Sequence, residues 1–254
     1  MPNVYIICAA GLGTRMKDVH ASVPKPLLLL QGRTLLEHAI ECLPVQPEDR
    51  VVVVGQRAHR LERCADRLYS RFEKNKIEWV GIDKPTRGQL ETAMIAARTA
   101  LAHESIAIFN ADSMFACHDL LSTMLEGHWD GLIPCSKEKG DAWSFCAVEN
   151  EHVSPMVVTQ VTEKVRISNW CSVGFYWFRD AREFLKQANL ELQSPAGVEP
   201  YVAPLYSRYL KENRKIGALK TDVFKAMGTL AQLNDYWKIN LSELQRENAN
   251  SPFL

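Results

Sequence analysis

The sequence predicts an α/β protein, with a mostly parallel sheet covered by helices on both faces and a mixed or antiparallel lobe added to it. Short apolar runs alternate with helix-period segments through the first half, an order that implies right-handed crossovers between parallel strands. Those runs are apolar at successive positions, as in strands buried on both faces. In the second half strand-like runs follow one another with little helix between them, which favours antiparallel neighbours.

Residues 4–8 read as the first buried strand, residues 35–43 as a helix, and residues 51–54, a run of valines, as the second strand. Residues 58–72 set Leu61, Ala65, Leu68 and Phe72 on one helical face. Residues 77–80 follow as a strand, after which Leu90, Ala93, Met94, Ala97 and Leu101 recur at helix spacing. Residues 106–109 form a strand running into Asn110-Ala111-Asp112. Beyond it, residues 132–135, 144–148, 157–161 and 171–178 read as strands, and helical pattern returns at 181–192, at 202–212 and after Thr229. No repeat, low-complexity tract or Pro/Gly/Ser-rich linker interrupts the 254 residues. One domain is therefore expected, with residues 1–115 as one half and 116–254 as an added lobe with closing helices.

Composition excludes several function classes. Hydrophobic residues make up 46% and charged residues 24%, as in ordinary soluble globular chains. Thirty basic residues balance thirty acidic ones, so bulk charge gives no reason to expect a nucleic-acid or membrane-surface partner. Arg60, Arg63, Arg67, Arg71 and Lys74 recur at three- and four-residue spacing, but Glu62, Asp66 and Glu73 balance them as on a solvated helix face. The seven cysteines form no C-x-x-C pair and are odd in number, which argues against a zinc knuckle or a closed disulfide framework and for a reducing, cytoplasmic setting. The first residues carry no basic leader, and the apolar stretch there falls far short of the roughly 20 residues that cross a bilayer. A homo-oligomer is left open.

The chemistry concentrates after the first strand, in Ala9-Ala10-Gly11-Leu12-Gly13-Thr14-Arg15-Met16, with Lys25 following in Val23-Pro24-Lys25-Pro26. A Gly-x-Gly turn leaving a strand lines up backbone N–H groups that suit phosphate oxygens. Arg15 adds a planar fork of donors and Lys25 a compact charge. A dinucleotide fingerprint would need a third glycine where Met16 stands, and the Gly-Lys-Ser/Thr of a P-loop is absent. An oxidoreductase of dinucleotide-binding type is thereby disfavoured.

This two-part motif, Ala-Ala-Gly-Leu-Gly-Thr-Arg-Met followed by Pro-Lys-Pro-Leu, resembles the signature of sugar-phosphate nucleotidylyltransferases. The resemblance continues through Asn110-Ala111-Asp112, Val161-Thr162-Glu163-Lys164, the run from Gly174 to Phe178, and Gly228-Thr229-Leu230, where leucine replaces the usual proline. Residues 140–145 and 200–206 look like a bacterial subgroup linked with capsule or cell-surface polysaccharide. The resemblance implies a Rossmann-like fold of the nucleotide-diphospho-sugar transferase type. It also implies a magnesium-dependent enzyme that joins a nucleoside triphosphate to a sugar 1-phosphate or other small phosphate monoester and releases pyrophosphate.

Carried onto this chain, Ala10, Gly11, Leu12, Gly13 and Thr14 would cradle the triphosphate, and Arg15 and Lys25 would be the catalytic cations. Asp112 would hold the metal. Asp83, Gly88 and Gln89 would meet the base; a carboxylate acceptor suits the exocyclic amine of cytosine, hence a lean to CTP or another pyrimidine nucleotide. Glu163 and Lys164, with Trp143 and Gly174, would form the acceptor site. Asp112 on its own would also suit a helix N-cap, and Glu163 and Lys164 an exposed pair. Many relatives carry a second metal-binding Asp one or two residues before the late Gly-Thr, whereas Lys225-Ala226-Met227 precede Gly228 here. Either water and nucleotide phosphates complete the magnesium shell or Asp222 moves in. The same departure motivates an alternative, a nucleotide-binding or regulatory module of this fold with weakened catalysis.

Overall fold

The computed structural model describes residues 1–70, 72–73, 76–193 and 199–254. Its strands are β1 (Asn3–Ala9), β2 (Leu29–Leu30), β3 (Arg33–Thr34), β4 (Arg50–Gln56), β5 (Ile77–Ile82), β6 (Ser105–Asn110) and β7 (Ser113–Ala116) in the first half. Then come β8 (Gly131–Lys137), β9 (Ser144–Val148), β10 (Met156–Glu163), β11 (Trp170–Ser172), β12 (Phe175–Phe178), β13 (Ile216–Lys220) and β14 (Val223–Ala226). The helices are α1 (Leu35–Glu41), α2 (Ala65–Tyr69), α3 (Gln89–Ala97), α4 (Leu120–Glu126), α5 (Ala181–Leu192), α6 (Leu205–Lys211), α7 (Leu230–Gln232) and α8 (Leu241–Asn248).

One ten-stranded sheet runs β11-β9-β10-β13-β8-β12-β6-β1-β4-β5. The pairs β1–β4, β1–β6 and β4–β5 are parallel. Antiparallel β12 joins β6 to β8, and β13 pairs parallel to β8 and antiparallel to β10. The parallel first half and mixed second half thus follow the sequence pattern.

Period-two alternation explains the two cores. In β1, β4 and β6, Tyr5, Ile7, Val51, Val53, Ala107 and Phe109 enter one cluster with Leu35, Leu36, Ala39 and Ile40 of α1 and Leu244 of α8. The intervening Val4, Ile6, Val52, Val54, Ile106 and Ile108 enter the other, with Leu90, Ala93 and Met94 of α3, Phe184 of α5, and Tyr206 and Tyr209 of α6. Capping boxes start α1, between Thr34 and Glu37, and α8, between Asn240 and Glu243.

Three elements differ from expectation. Residues 58–72 are not one helix. Short 3-10 turns at Arg57–His59 and Leu61–Cys64 flank Arg60, whose left-handed φ of 48° interrupts the segment before α2. Leu61 packs so closely on Gly55 that a Cβ there would lie 2.4 Å from its Cδ1. Two cations of the basic stripe are engaged within the molecule: Arg63 donates to carbonyls of Pro252, Phe253 and Leu254, and Arg67 pairs with Glu37; Arg60 is exposed, and Arg71 and Lys74 lie outside the described residues. Leu101 is exposed beyond the end of α3. The run 171–178 breaks at Gly174, whose φ of +89° separates β11 from β12. Unforeseen are the small antiparallel β7–β14 ladder, β13 and α4.

Candidate active site

The parallel strands deliver their carboxyl ends to a cleft of about 670 Å³, within the range expected of small-molecule sites. It is lined by Ala10, Gly11, Leu12, Gly13, Thr14, Arg15 and Lys25 on one side, Asp112 between, and Trp143, Glu163, Lys164 and Gly174 on the other.

The loop after β1 is held from both ends. Gln56 donates to the Ala10 carbonyl at 2.8 Å, and buried Met16 anchors the turn Thr14–Met16. Gly13 adopts φ +62°, and a Cβ there would lie 2.7 Å from the Lys25 Cβ, so the loop and the Lys25 segment meet in a way only glycine allows. Buried Val23 and Leu27 bracket Lys25. Its ammonium lies 2.5 Å from Asp112 Oδ2 and donates to the Gly228 carbonyl at 3.1 Å. Arg15 is exposed and makes no ion pair among the described residues.

Asp112 follows β6 and receives no helix, so it is not an N-cap. Burial pushes its carboxyl up, but the charge and hydrogen bond of Lys25, aided by Arg15, outweigh this and hold it below its ordinary value. The late turn packs against it. Met227 N–H donates to the Asp112 carbonyl at 2.8 Å, and a Cβ on Gly228 would lie 3.2 Å from Asp112 Oδ2.

On the opposite wall Glu163, at the end of β10, accepts from Ser144 Oγ at 2.5 Å, and that hydroxyl meets Tyr176 OH at 2.9 Å. Burial raises the Glu163 carboxyl, with the Ser144 bond and Lys164 opposing it. Lys164 has a left-handed φ of 56°, donates its backbone N–H to the Trp143 carbonyl and sets its ammonium 4.3 Å over the Tyr201 ring. It also bonds the Tyr201 hydroxyl, which donates to Glu199. Tyr201 raises the Lys164 ammonium most, by that bond, with Glu199 and Glu163 adding to it. Trp143 borders the cleft, whereas Trp170 and Trp177 of the same lobe are buried in the core.

Two expected participants are elsewhere. Asp83 is outside the lining; its carboxylate is 78% exposed and ion-paired to Arg57 at 2.9 Å, so the lean to cytosine loses the carboxylate acceptor it rested on. Asp222 accepts from the His118 N–H at 2.8 Å, at the far end of the β7–β14 ladder from Asp112; roughly 16 Å of strand separates them, so the two carboxylates are not brought together. Among the described residues no three His, Cys, Asp or Glu side chains group as a metal site. Gly88 and Gln89 do line the cleft, and Gly88 is needed for close approach, since a Cβ would fall 2.8 Å from the Pro200 carbonyl oxygen. Gln56, Asn110, Ser144, Tyr176, Glu199, Tyr201 and the Gly228 carbonyl join the site without having been assigned roles from sequence. Asn110, Ser144, Tyr176, Tyr201 and Gly228 lie in segments that carried the resemblance, but only the assembly of separate strands and turns brings their groups to the cleft; Gln56 acts from behind it, through the Ala10 carbonyl.

A family model described as a MobA-like NTP transferase domain matches residues 5–186. The chain is 29% identical over 220 residues to the bifunctional protein GlmU of Helicobacter pylori, covering 84% of this chain and 48% of that protein. It thus spans about half the length of this curated relative. Among solved structures, a nucleoside-diphosphate-sugar pyrophosphorylase from Vibrio cholerae matches with TM-score 0.72 and 22% identity, over 93% of this chain and all of that one. A UDP-glucose pyrophosphorylase complexed with UDP-glucose matches with TM-score 0.75 and 16% identity, over 94% and 99%. The fold is therefore that of nucleotide-sugar pyrophosphorylases. No helix among the described residues is long and apolar enough to cross a membrane.

Proposed function

Because the chain belongs to the family of MobA-like NTP transferase domains, we propose that it is a nucleotidylyltransferase joining a nucleoside triphosphate to a small phosphorylated acceptor, a sugar 1-phosphate or related monoester, with release of pyrophosphate. The observation that carries this is the convergence of the Gly-rich loop, Arg15, Lys25 and Asp112 with Glu163 and Lys164 across one cleft. Residues 1–115 hold the nucleotide and 116–254 the acceptor. The likeness of residues 140–145 and 200–206 to surface-polysaccharide enzymes supports a sugar-type acceptor.

The acceptor's phosphate oxygen attacks the α-phosphorus in line and pyrophosphate departs. A phosphate monoester is already an anionic nucleophile, so no general base is needed; positioning and charge neutralisation do the catalysis. Loop N–H groups of Leu12, Gly13 and Thr14 and the free guanidinium of Arg15 receive the leaving pyrophosphate. Lys25 turns from Asp112 to the transferred phosphate, and Lys164 leaves Tyr201 for the acceptor's phosphate. Magnesium fits one carboxylate, because it keeps several waters and takes phosphate oxygens as ligands; Asp112 would hold it, and the ion would neutralise phosphate charge. The test is a matrix of the common nucleoside triphosphates against a phosphate-monoester library, read by pyrophosphate release. At least one pair turning over only with both partners present supports the proposal; triphosphate binding without turnover of any pair would leave a binding module instead.

A further inference from the structure

At the seam between the two halves the side chains of Gln89 and Asn110 meet. Asn110 ends β6, two positions before Asp112, and both residues line the cleft. Gln89 Nε2, at the start of α3, donates to Asn110 Oδ1 at 2.6 Å. With its oxygen engaged, the Asn110 amide turns Nδ2 toward Gly174, where a Cβ would lie only 2.3 Å away. Gly174 opens the acceptor-side strand, Gln89 belongs to the nucleotide side, and all three residues line the cleft. The pair therefore leaves N–H donors of Asn110 without a protein acceptor among the described residues, two positions along the chain from Asp112.

We infer that Asn110 is a specificity-determining residue whose amide N–H donates to a hydroxyl borne next to the reacting phosphate. That chemistry has two sources, the ribose of the triphosphate and the first hydroxyl of the acceptor. The inference rests on the proposed nucleotidyl transfer. A phosphate oxygen is the less suitable partner, because the cations Arg15, Lys25 and Lys164 already serve the phosphates.

The experiment compares wild type, Asn110→Ala and Asn110→Asp on the pair that turns over best, with ribo- and 2′- and 3′-deoxy-triphosphates and with acceptor and its deoxy analogue. Loss of a neutral donor should raise one KM by roughly 3- to 10-fold, with the melting temperature kept. Asn110→Asp still accepts from Gln89 but presents no donor, and should lose at least as much. If the discrimination between ribo- and deoxy-triphosphate vanishes in the variants, the partner is the ribose; if discrimination between acceptor and deoxy-acceptor vanishes, it is the acceptor. Either result supports the inference. Unchanged discrimination on both sides, with wild-type turnover intact, overturns it while leaving nucleotidyl transfer standing. A wild type that turns over no pair overturns both.

Discussion

Lys25 and Asp112, 87 positions apart in the chain, share a hydrogen-bonded ion pair of 2.5 Å at the floor of the cleft. The same ammonium reaches the Gly228 carbonyl, so one side chain ties the loop after β1, the end of β6 and the late turn together. In the free protein the two groups assigned to opposite jobs, cation for phosphate and ligand for metal, neutralise each other.

Magnesium should therefore bind the free protein weakly and bind well once a triphosphate draws Lys25 away. Calorimetry should show little heat with magnesium alone in wild type and a measurable site in Lys25→Ala, where Asp112 is unpaired. A tight metal site in nucleotide-free wild type would contradict the pairing as a lock.

The same pair sets a pH dependence. The Asp112 carboxyl is depressed in the folded state, so its stabilising contribution is complete above its unfolded pKa and is lost as pH falls through the folded one. Denaturant unfolding followed from neutral to acid pH should lose less stability in Asp112→Asn than in wild type. Equal acid slopes would show that the pair contributes nothing.

Lys164→Ala should raise the acceptor KM about 10- to 150-fold, the worth of a charge-assisted bond of roughly 1.5–3 kcal/mol. Triphosphate affinity without acceptor should hold. Collapse of nucleotide binding with an unchanged acceptor KM would move Lys164 to the triphosphate side.

Gly174→Ala and Gly32→Ala form a matched test. Both glycines have positive φ, +89° and +78°, but a Cβ at 174 strikes Asn110 whereas at 32 it meets nothing within 4 Å. Overpacking should cost Gly174→Ala about 1–3 kcal/mol more, read by denaturant unfolding. Equal losses would mean that Asn110 yields without resistance.

Much of this site was legible because its motif residues sit where strands end. Gly11, Gly13 and Arg15 follow β1 directly, and Asp112 follows β6, so reading the strands located them. Asp83 and Asp222 were misplaced because proximity in sequence to Gly88 and Gly228 says nothing about which partner captures a carboxylate; Arg57 takes one and the His118 N–H the other. Asn110, Glu199 and Tyr201 acquire their settings only when β6, β10, α3 and the segment before α6 assemble. The β7–β14 ladder joins two four-residue strands more than a hundred positions apart, too short for any period to show. Residues 58–72 do carry a helical spacing, but Arg60 and the close seat of Leu61 on Gly55 override it.

The central claim is that this cleft moves a nucleotidyl group, and transfer of an α-phosphate label tests it most directly. With a triphosphate labelled at the α-position and its phosphorylated acceptor, wild type should place the label in an acceptor-linked diphosphate as pyrophosphate forms. Arg15→Ala and Lys25→Ala, both folded, should each do so roughly 100-fold or more slowly, as expected for loss of a preorganised cation facing the transferred group. Label transfer at wild-type rate in both variants, or none in wild type with any pair, would contradict the account.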